Sequence, residues 1–282
     1  MSGITKAPLG AAIRRARGQT TRGGPAARTR GRIAGAMAAG AVAALALPGL
    51  ASAAVTAPHN VITFPQRDFV SASGFAVAHR YTVEVLHPNA VTAVGTVTGI
   101  TPVEDPATPG VGLIEVNHPG GACWVGTTPD IRAGDTVRIT DETTGAVDTS
   151  LVRNVTAQRP VQTGPSTVTV HGAAQDAAGN PLPVAEIEQR MVAPRDAFLA
   201  NGRRTLRATS AAGADGTLAY DPIGPDNSNG TNWTATYTGL AAADVTRALN
   251  AESRGMWIDP AVPSTESTIF ENGAGEDRKS VV

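Results

Sequence analysis

YTVEVL, Tyr81–Leu86, is the stretch on which the reading of this chain turns. Tyr81, Val83 and Val85 fall on one side of an extended segment, and Thr82, Glu84 and Leu86 on the other. That period of two belongs to a half-buried strand, since a helix gathers its apolar residues every third or fourth position. The same alternation returns in NVITF (Asn60–Phe64), VTAVGTVTGI (Val91–Ile100), GLIEV (Gly112–Val116) and TVRIT (Thr136–Thr140), where Val137 and Ile139 alternate with Thr136, Arg138 and Thr140. Pro, Gly and Asp clusters separate the runs, and no long amphipathic helical window intervenes. Short antiparallel strands packed as a sandwich are the expectation.

Further on, Glu186–Val192, Arg204–Thr209, Thr217–Tyr220, Trp233–Tyr237 and Ser267–Glu271 read as strands. Ala241–Asn250 reads as a short helix with Val245, Ala248 and Leu249 on its apolar stripe and Asp244 near the positive end of the dipole. Gln158–Pro165, rich in turn and polar residues, reads as a joint between two units. The fold class expected is therefore all-β, with two immunoglobulin-like β-sandwich domains after an N-terminal signal segment. The divisions are a signal peptide over 1–53, a first sandwich over 54–163, a second over 164–272, and a flexible tail over 273–282.

STVTVHGAAQDAAGNPLP, Ser166–Pro183, runs a strand carrying Val168 and Val170 into a turn built by Asp176, Gly179 and Asn180, with Pro181 barring helix. This segment resembles the opening strand and turn of bacterial immunoglobulin-like and fibronectin-type modules, many of which carry a D-x-x-G-N turn. FPQRDF (Phe64–Phe69), NHPGGACW (Asn117–Trp124) and TPDIRAGD (Thr128–Asp135) together look like an actinobacterial family of secreted immunoglobulin-like proteins. The resemblance implies secretion and β-architecture. It carries over no catalytic residues and implies no cofactor.

The first 53 residues read as an address. Lys6, Arg14, Arg15, Arg17, Arg22, Arg28, Arg30 and Arg32 form a cationic region without an acid, and the apolar run Ile33–Leu47 follows. Pro48 and Gly49 break that run, and Ala51-Ser52-Ala53 offers the small residues of a cleavage site before Ala54. The apolar run is shorter than the roughly 20 residues a membrane span needs. No span is therefore expected after cleavage, and the protein is read as secreted; left uncleaved, the segment would serve as an anchor. Arg14-Arg15 lacks the hydrophobic residues that follow a twin-arginine pair, which favours ordinary secretion. Residues 54–282 then hold 15 basic and 24 acidic residues, a net charge near −9. An acidic chain with scattered arginines is a poor match for a phosphate backbone, which disfavours nucleic-acid binding. Arg203, Arg204 and Arg207 are read as offsetting nearby acids.

The single cysteine excludes an internal disulfide, so stability must come from packed apolar surface. Trp124, Trp233 and Trp257 are expected as core anchors. His118 and Cys123, five residues apart across Gly120-Gly121, are the candidate ligands for zinc or copper. A third ligand would have to come from His79, His87 or His171 on distant strands. Read as plain structure, Asn117–Gly121 is a turn between strands and Cys123 a small buried residue beside Trp124. Asp221, Asp226 and Asn229 gather oxygen donors into a candidate calcium loop, with Asp176 and Asn180 a smaller set, although neither has the spacing of the twelve-residue calcium loop. No nucleophile elbow, phosphate loop or His-Glu-x-x-His occurs. The function expected is a non-catalytic binding or structural module of the bacterial exterior, facing a protein, a glycan or the wall. The alternative is an extracytoplasmic metal-binding protein or enzyme centred on His118 and Cys123.

Overall fold

In the computed structural model, which describes residue 55 and residues 58–106, 108–259 and 266–272, the period-two segments are strands. The first half supplies β1 (Asn60–Phe64), β2 (Phe69–Ala76), β3 (Tyr81–Leu86), β4 (Gly95–Ile100), β5 (Val103–Glu104), β6 (Val111–Val116), β7 (Thr136–Asp141) and β8 (Val147–Leu151). After it come β9 (Asn154–Ala157), β10 (Val161–Gly164), β11 (Thr167–Gln175), β12 (Ile187–Val192) and β13 (Thr205–Thr209). The last elements are β14 (Gly216–Tyr220), β15 (Asn232–Tyr237), α1 (Ala242–Leu249), β16 (Glu252–Ile258) and β17 (Glu266–Asn272). The protein is predominantly β, and α1 is the one α-helix among the described residues. The expected leader and tail lie outside them.

Two sheets form. A four-stranded antiparallel sheet runs β4-β3-β7-β8, and a 13-stranded sheet runs β10-β11-β15-β14-β13-β12-β16-β17-β1-β2-β6-β5, with β9 also paired to β11. The small sheet lies over the β1-β2-β6 part of the large one. Between them sits a core of Val61, Val70, Phe75, Tyr81, Val83, Val85, Ile114, Val137 and Ile139, joined by Trp124 and Ile131 from loops. A second core gathers Val168, Val170, Ile187, Met191, Leu206, Trp233, Tyr237 and Trp257. The change from one core to the other falls between Val152 and Val155, while the large sheet runs through both. Around the second core the sheet curls, so that β9, hydrogen-bonded to β11, also packs on β16 and β17. The crowding there is severe: a Cβ at Gly172 would stand 2.1 Å from Cζ2 of Trp233 and 2.2 Å from the Thr156 carbonyl.

Local departures from the sequence reading have local causes. The strand expected from Val91 begins only at Gly95, because the chain turns after Leu86 with Asn89 left-handed (φ 61°). Val91 is left 84% exposed. The expected joint Gln158–Pro165 contains β10, which pairs with β11. In α1, Val245 and Ala248 are buried as expected, but Leu249 is partly exposed. Asp244, fully buried, accepts from the N–H groups of Leu199 (2.7 Å) and Ala200 (2.8 Å) and pairs with Arg247 (2.8 Å), so it anchors a loop. Arg207 does offset an acid, Glu188, whereas Arg204 donates to the carbonyls of Ala193 and Pro194. All three tryptophans are buried.

The strands that end the two sheet paths are blunted. β5 has two residues and follows Pro102, and β10 follows Pro160 and carries a register shift between Gln162 and Gly164. β4 is overlaid where Val125 N–H donates to the Thr96 carbonyl (3.1 Å). β8 turns a carboxylate inward, since Asp148 stands opposite the core residue Ile139 and is buried. These are recognised defences of unpaired edges. The crowding at Gly172 gives a direct test of the second core. Gly172→Ala should destabilise the protein by about 3 kcal/mol, the upper range for an overpacked interior, read as a lower urea midpoint at unchanged slope.

Candidate functional site

The three segments that make this sequence distinctive meet at Asp68. β1 ends at Phe64, and Pro65–Arg67 makes one 3-10 turn that the left-handed Asp68 (φ 49°) terminates. The Asp68 carbonyl accepts from Trp124 Nε1 (2.9 Å) and Asn117 Nδ2 (3.3 Å), and its Oδ1 accepts from the Ile131 N–H (2.9 Å). Asn117 Nδ2 also donates to the Arg67 carbonyl (2.9 Å). One aspartate thus joins FPQRDF to NHPGGACW and TPDIRAGD. The last of these ends at Asp135, which is wholly buried and accepts from the Arg132 N–H (2.9 Å).

The loop bearing the candidate ligands closes on its own backbone. Asn117 is left-handed (φ 67°), and its N–H donates to the Ala122 carbonyl at 2.7 Å. The Gly121 N–H donates to His118 and the Ala122 N–H to Glu115, both at 2.8 Å. A Cβ at Gly121 would lie 2.5 Å from the Glu115 carbonyl, so the tight return requires glycine. His118 through Gly121 is a turn, as expected. Cys123 is not buried but exposed. The reason is the alternation of an extended segment: Trp124 turns inward to reach Asp68, which sends its neighbour outward.

His118 is half exposed and stacks on Phe69 at 5.0 Å between centroids, and Phe69 stacks in turn on Phe64 at 4.8 Å. Its Nδ1 lies 3.2 Å from Glu115 Oε2. The distant histidines do not join it. His79 Nδ1 contacts Asp141 Oδ2 (2.8 Å), His87 Nδ1 contacts Asp135 Oδ1 (2.8 Å), and His171 Nδ1 contacts Thr234 Oγ1 (2.9 Å). Among the described residues no group of three or more His, Cys, Asp and Glu is placed to hold a metal ion.

The candidate calcium loop is organised by a residue that the sequence does not single out. Asn227, buried amid exposed neighbours, donates through Nδ2 to the Asp221 carbonyl (2.9 Å) and accepts through Oδ1 from the Asn232 N–H (3.0 Å). Asp221 Oδ1 accepts from Thr234 Oγ1 (2.7 Å), while Asp226 and Asn229 are exposed at the tip. Asp176 accepts from the Ala178 and Asn180 N–H groups and from Asn180 Nδ2, and these bonds hold its carboxyl below the usual range. Gly179, left-handed at φ 84°, completes the expected turn.

Histidine–aspartate clamps are the feature that sequence reasoning missed. His59 Nδ1 meets Asp148 at 2.6 Å, joining the start of β1 to β8, and its ring stacks on Phe75 at 4.1 Å. Phe75 meets Tyr81 edge-on, and burial raises the phenol of Tyr81, with the charges of Asp141 and Asp148 adding to it. Arg132 Nη2 lies 2.9 Å from His87 Nε2, on the other side of the ring from Asp135. Burial pushes the Asp141 carboxyl up, but hydrogen bonds from Thr144, His79 and Thr143 outweigh it and bring it down to about 2. The signal for these clamps is only that His and Asp occur; their pairing depends on strand register.

The chain matches no protein-family model, and no curated protein matches its sequence.

Two measurements check this geometry. Because Cys123 is exposed, iodoacetamide should label it completely in the folded protein without denaturant, as read by mass spectrometry. Because the carboxyl of Asp141 is lowered on folding, its stabilisation is present above the unfolded value near 4 and disappears as pH falls toward 2. Asp141→Asn should therefore cost about 1–2 kcal/mol at pH 7, and urea titration at pH 2 should find variant and parent nearly equal.

Proposed function

We propose that this chain is an immunoglobulin-like β-sandwich protein of the bacterial exterior, exported by the leader over 1–53 and acting as a non-catalytic binding or structural module. Its partner is an extracellular protein, a glycan or a wall polymer. The observation that carries the reading is the use made of its chemically capable side chains. Asp68, Asp176 and Asn227 direct their oxygens to backbone N–H groups of neighbouring chain, and Asp135, Asp141 and Asp148 hold histidines. Meanwhile the loops present apolar side chains outward, with Val125 70% and Ile223 78% exposed. Loops fixed by the protein's own bonds and faced with apolar side chains suit contact with a partner. The acidity of residues 54–282 and the resemblance to secreted immunoglobulin-like modules point the same way.

The test is thermal melting before and after dialysis against EDTA. The melting temperature should stay within about 1 °C. A large drop that zinc, copper or calcium restores would replace this reading with a metal-dependent one, because a ligand bound only to the native state stabilises it by mass action.

A further inference from the structure

Two loops carry an Asn-Gly pair, and the fold treats them oppositely. Asn201-Gly202, in the loop before β13, is pinned. Asn201 Nδ2 donates to the Thr205 carbonyl and to Asp215 Oδ1, both at 3.0 Å, and its Oδ1 accepts from the Arg203 N–H (2.9 Å). The Gly202 N–H donates to the Phe198 carbonyl at 2.8 Å. Asn229-Gly230 stands instead at the tip of the loop between β14 and β15. Asn229 is exposed, and its Oδ1 lies 3.4 Å from Ser228 Oγ, at the limit of a hydrogen bond. The Gly230 N–H makes a longer bond, to the Asn227 carbonyl at 3.2 Å. A third pair, Asn272-Gly273, begins at the end of β17, where Asn272 Nδ2 is held by the Ala157 carbonyl (3.0 Å).

The chemistry of such a pair depends on its glycine. An asparagine Cγ and the backbone nitrogen of the next residue can close a five-membered ring, and a side chain on that next residue hinders their approach. Glycine has none and reaches backbone conformations that other residues avoid. Gly230 is left-handed at φ 67°, and a Cβ on it would meet Ile223 Cγ1 at 3.4 Å. The loop is anchored below this tip, where the buried Asn227 side chain holds the Asp221 carbonyl and the Asn232 N–H. Ring closure therefore asks for movement of the exposed tip and the loss of one backbone bond.

We propose that Asn229 is a site of spontaneous covalent modification, its side-chain amide converted in the folded protein to aspartate and isoaspartate by way of a succinimide. The Gly230 nitrogen gives its proton to water and attacks Asn229 Cγ. The N–Cγ bond forms, the Cγ–Nδ2 bond breaks, and the amide nitrogen takes a proton from solvent and leaves as ammonia. Water then opens the ring. Cleavage of the N–Cγ bond gives aspartate, and cleavage between that nitrogen and the Asn229 carbonyl carbon gives isoaspartate, whose main chain runs through the former side chain. Either product adds a carboxylate to a loop that already holds Asp221 and Asp226. Isoaspartate also lengthens the main chain beside Ile223, which the loop presents 78% exposed. The inference needs no partner and stands apart from the binding-module reading.

The test is incubation of the full chain at mildly alkaline pH, which favours loss of the amide proton, both folded and in urea. Peptide mapping by mass spectrometry then separates asparagine, aspartate and isoaspartate at each site. In the folded protein Asn229 should convert at least about tenfold faster than Asn201, because opening is rarer where more bonds must break. In urea the two rates should converge. Asn229→Gln, whose ring would be one atom larger, should leave the loop peptide unconverted. Equal rates at Asn201 and Asn229 in the folded chain, or conversion of Asn229 in urea alone, would overturn the assignment. Product that persists in Asn229→Gln would come from another asparagine of the same peptide and would overturn it as well.

Discussion

The parallel pairing of β1 with β17 is the constraint on which the rest of the structure depends. Val61, Ile62 and Thr63 stand in register with Glu266, Ser267 and Thr268, and β17 pairs antiparallel with β16 on its other side. That single strand carries one sheet through both cores. It is secured on either flank: Arg153 N–H donates to Thr268 Oγ1 (3.0 Å), Asn272 Nδ2 to the Ala157 carbonyl (3.0 Å), and Arg67 pairs with Glu271 (2.5 Å). A parallel pair needs a crossover connection, and here the crossover is every element from β2 to β16, through both cores. Its ends lie roughly two hundred residues apart, a separation that makes such pairing slow to form.

Some polar groups placed inside this frame are matched to one another, although Trp233 Nε1 and Thr63 Oγ1 are buried without a hydrogen-bond partner among the described residues. Tyr237 donates to Gln189 Oε1 (2.5 Å), and Gln189 Nε2 donates to Ser253 Oγ (3.3 Å), a fully buried line across β15, β12 and β16. Burial drives the Tyr237 phenol far above its ordinary value, so it remains a neutral donor. Tyr220, pushed up to about 12 by burial and then by Glu186, ties β14 to the Leu182 carbonyl (2.7 Å). A buried polar line of this kind fixes register as well as energy, because a one-residue slip would strand every member of it.

How much of this was legible in sequence follows from where the information lies. Runs such as NVITF, YTVEVL and TVRIT became strands within a residue of their expected ends, because alternation of β-branched and polar residues is a local signal. β2, FVSASGFA, and β16, ESRGMWI, escaped notice for the opposite reason. Ser253 belongs to the core only because Gln189 faces it, and Arg254 belongs to the sheet only because Glu271 stands opposite. The turn at Gly120-Gly121 was readable from glycine alone. The exposure of Cys123 was not, because it depends on the distant carbonyl that draws Trp124 inward. Asn227 likewise looks like any asparagine of its loop until Asp221 and Asn232 are brought to it.

The blunted edges have a consequence for life at high density. Two copies can meet edge to edge only where a strand offers an unbroken row of N–H and C=O groups, and stacks of such rows are the beginning of cross-β fibres. Here one edge is two residues long, one is offset by a register shift, one is already overlaid, and one would have to accommodate an aspartate turned toward its own core. A β-rich chain finished in this way can be crowded onto a surface, neighbour beside neighbour, and each copy still keeps its sheets to itself.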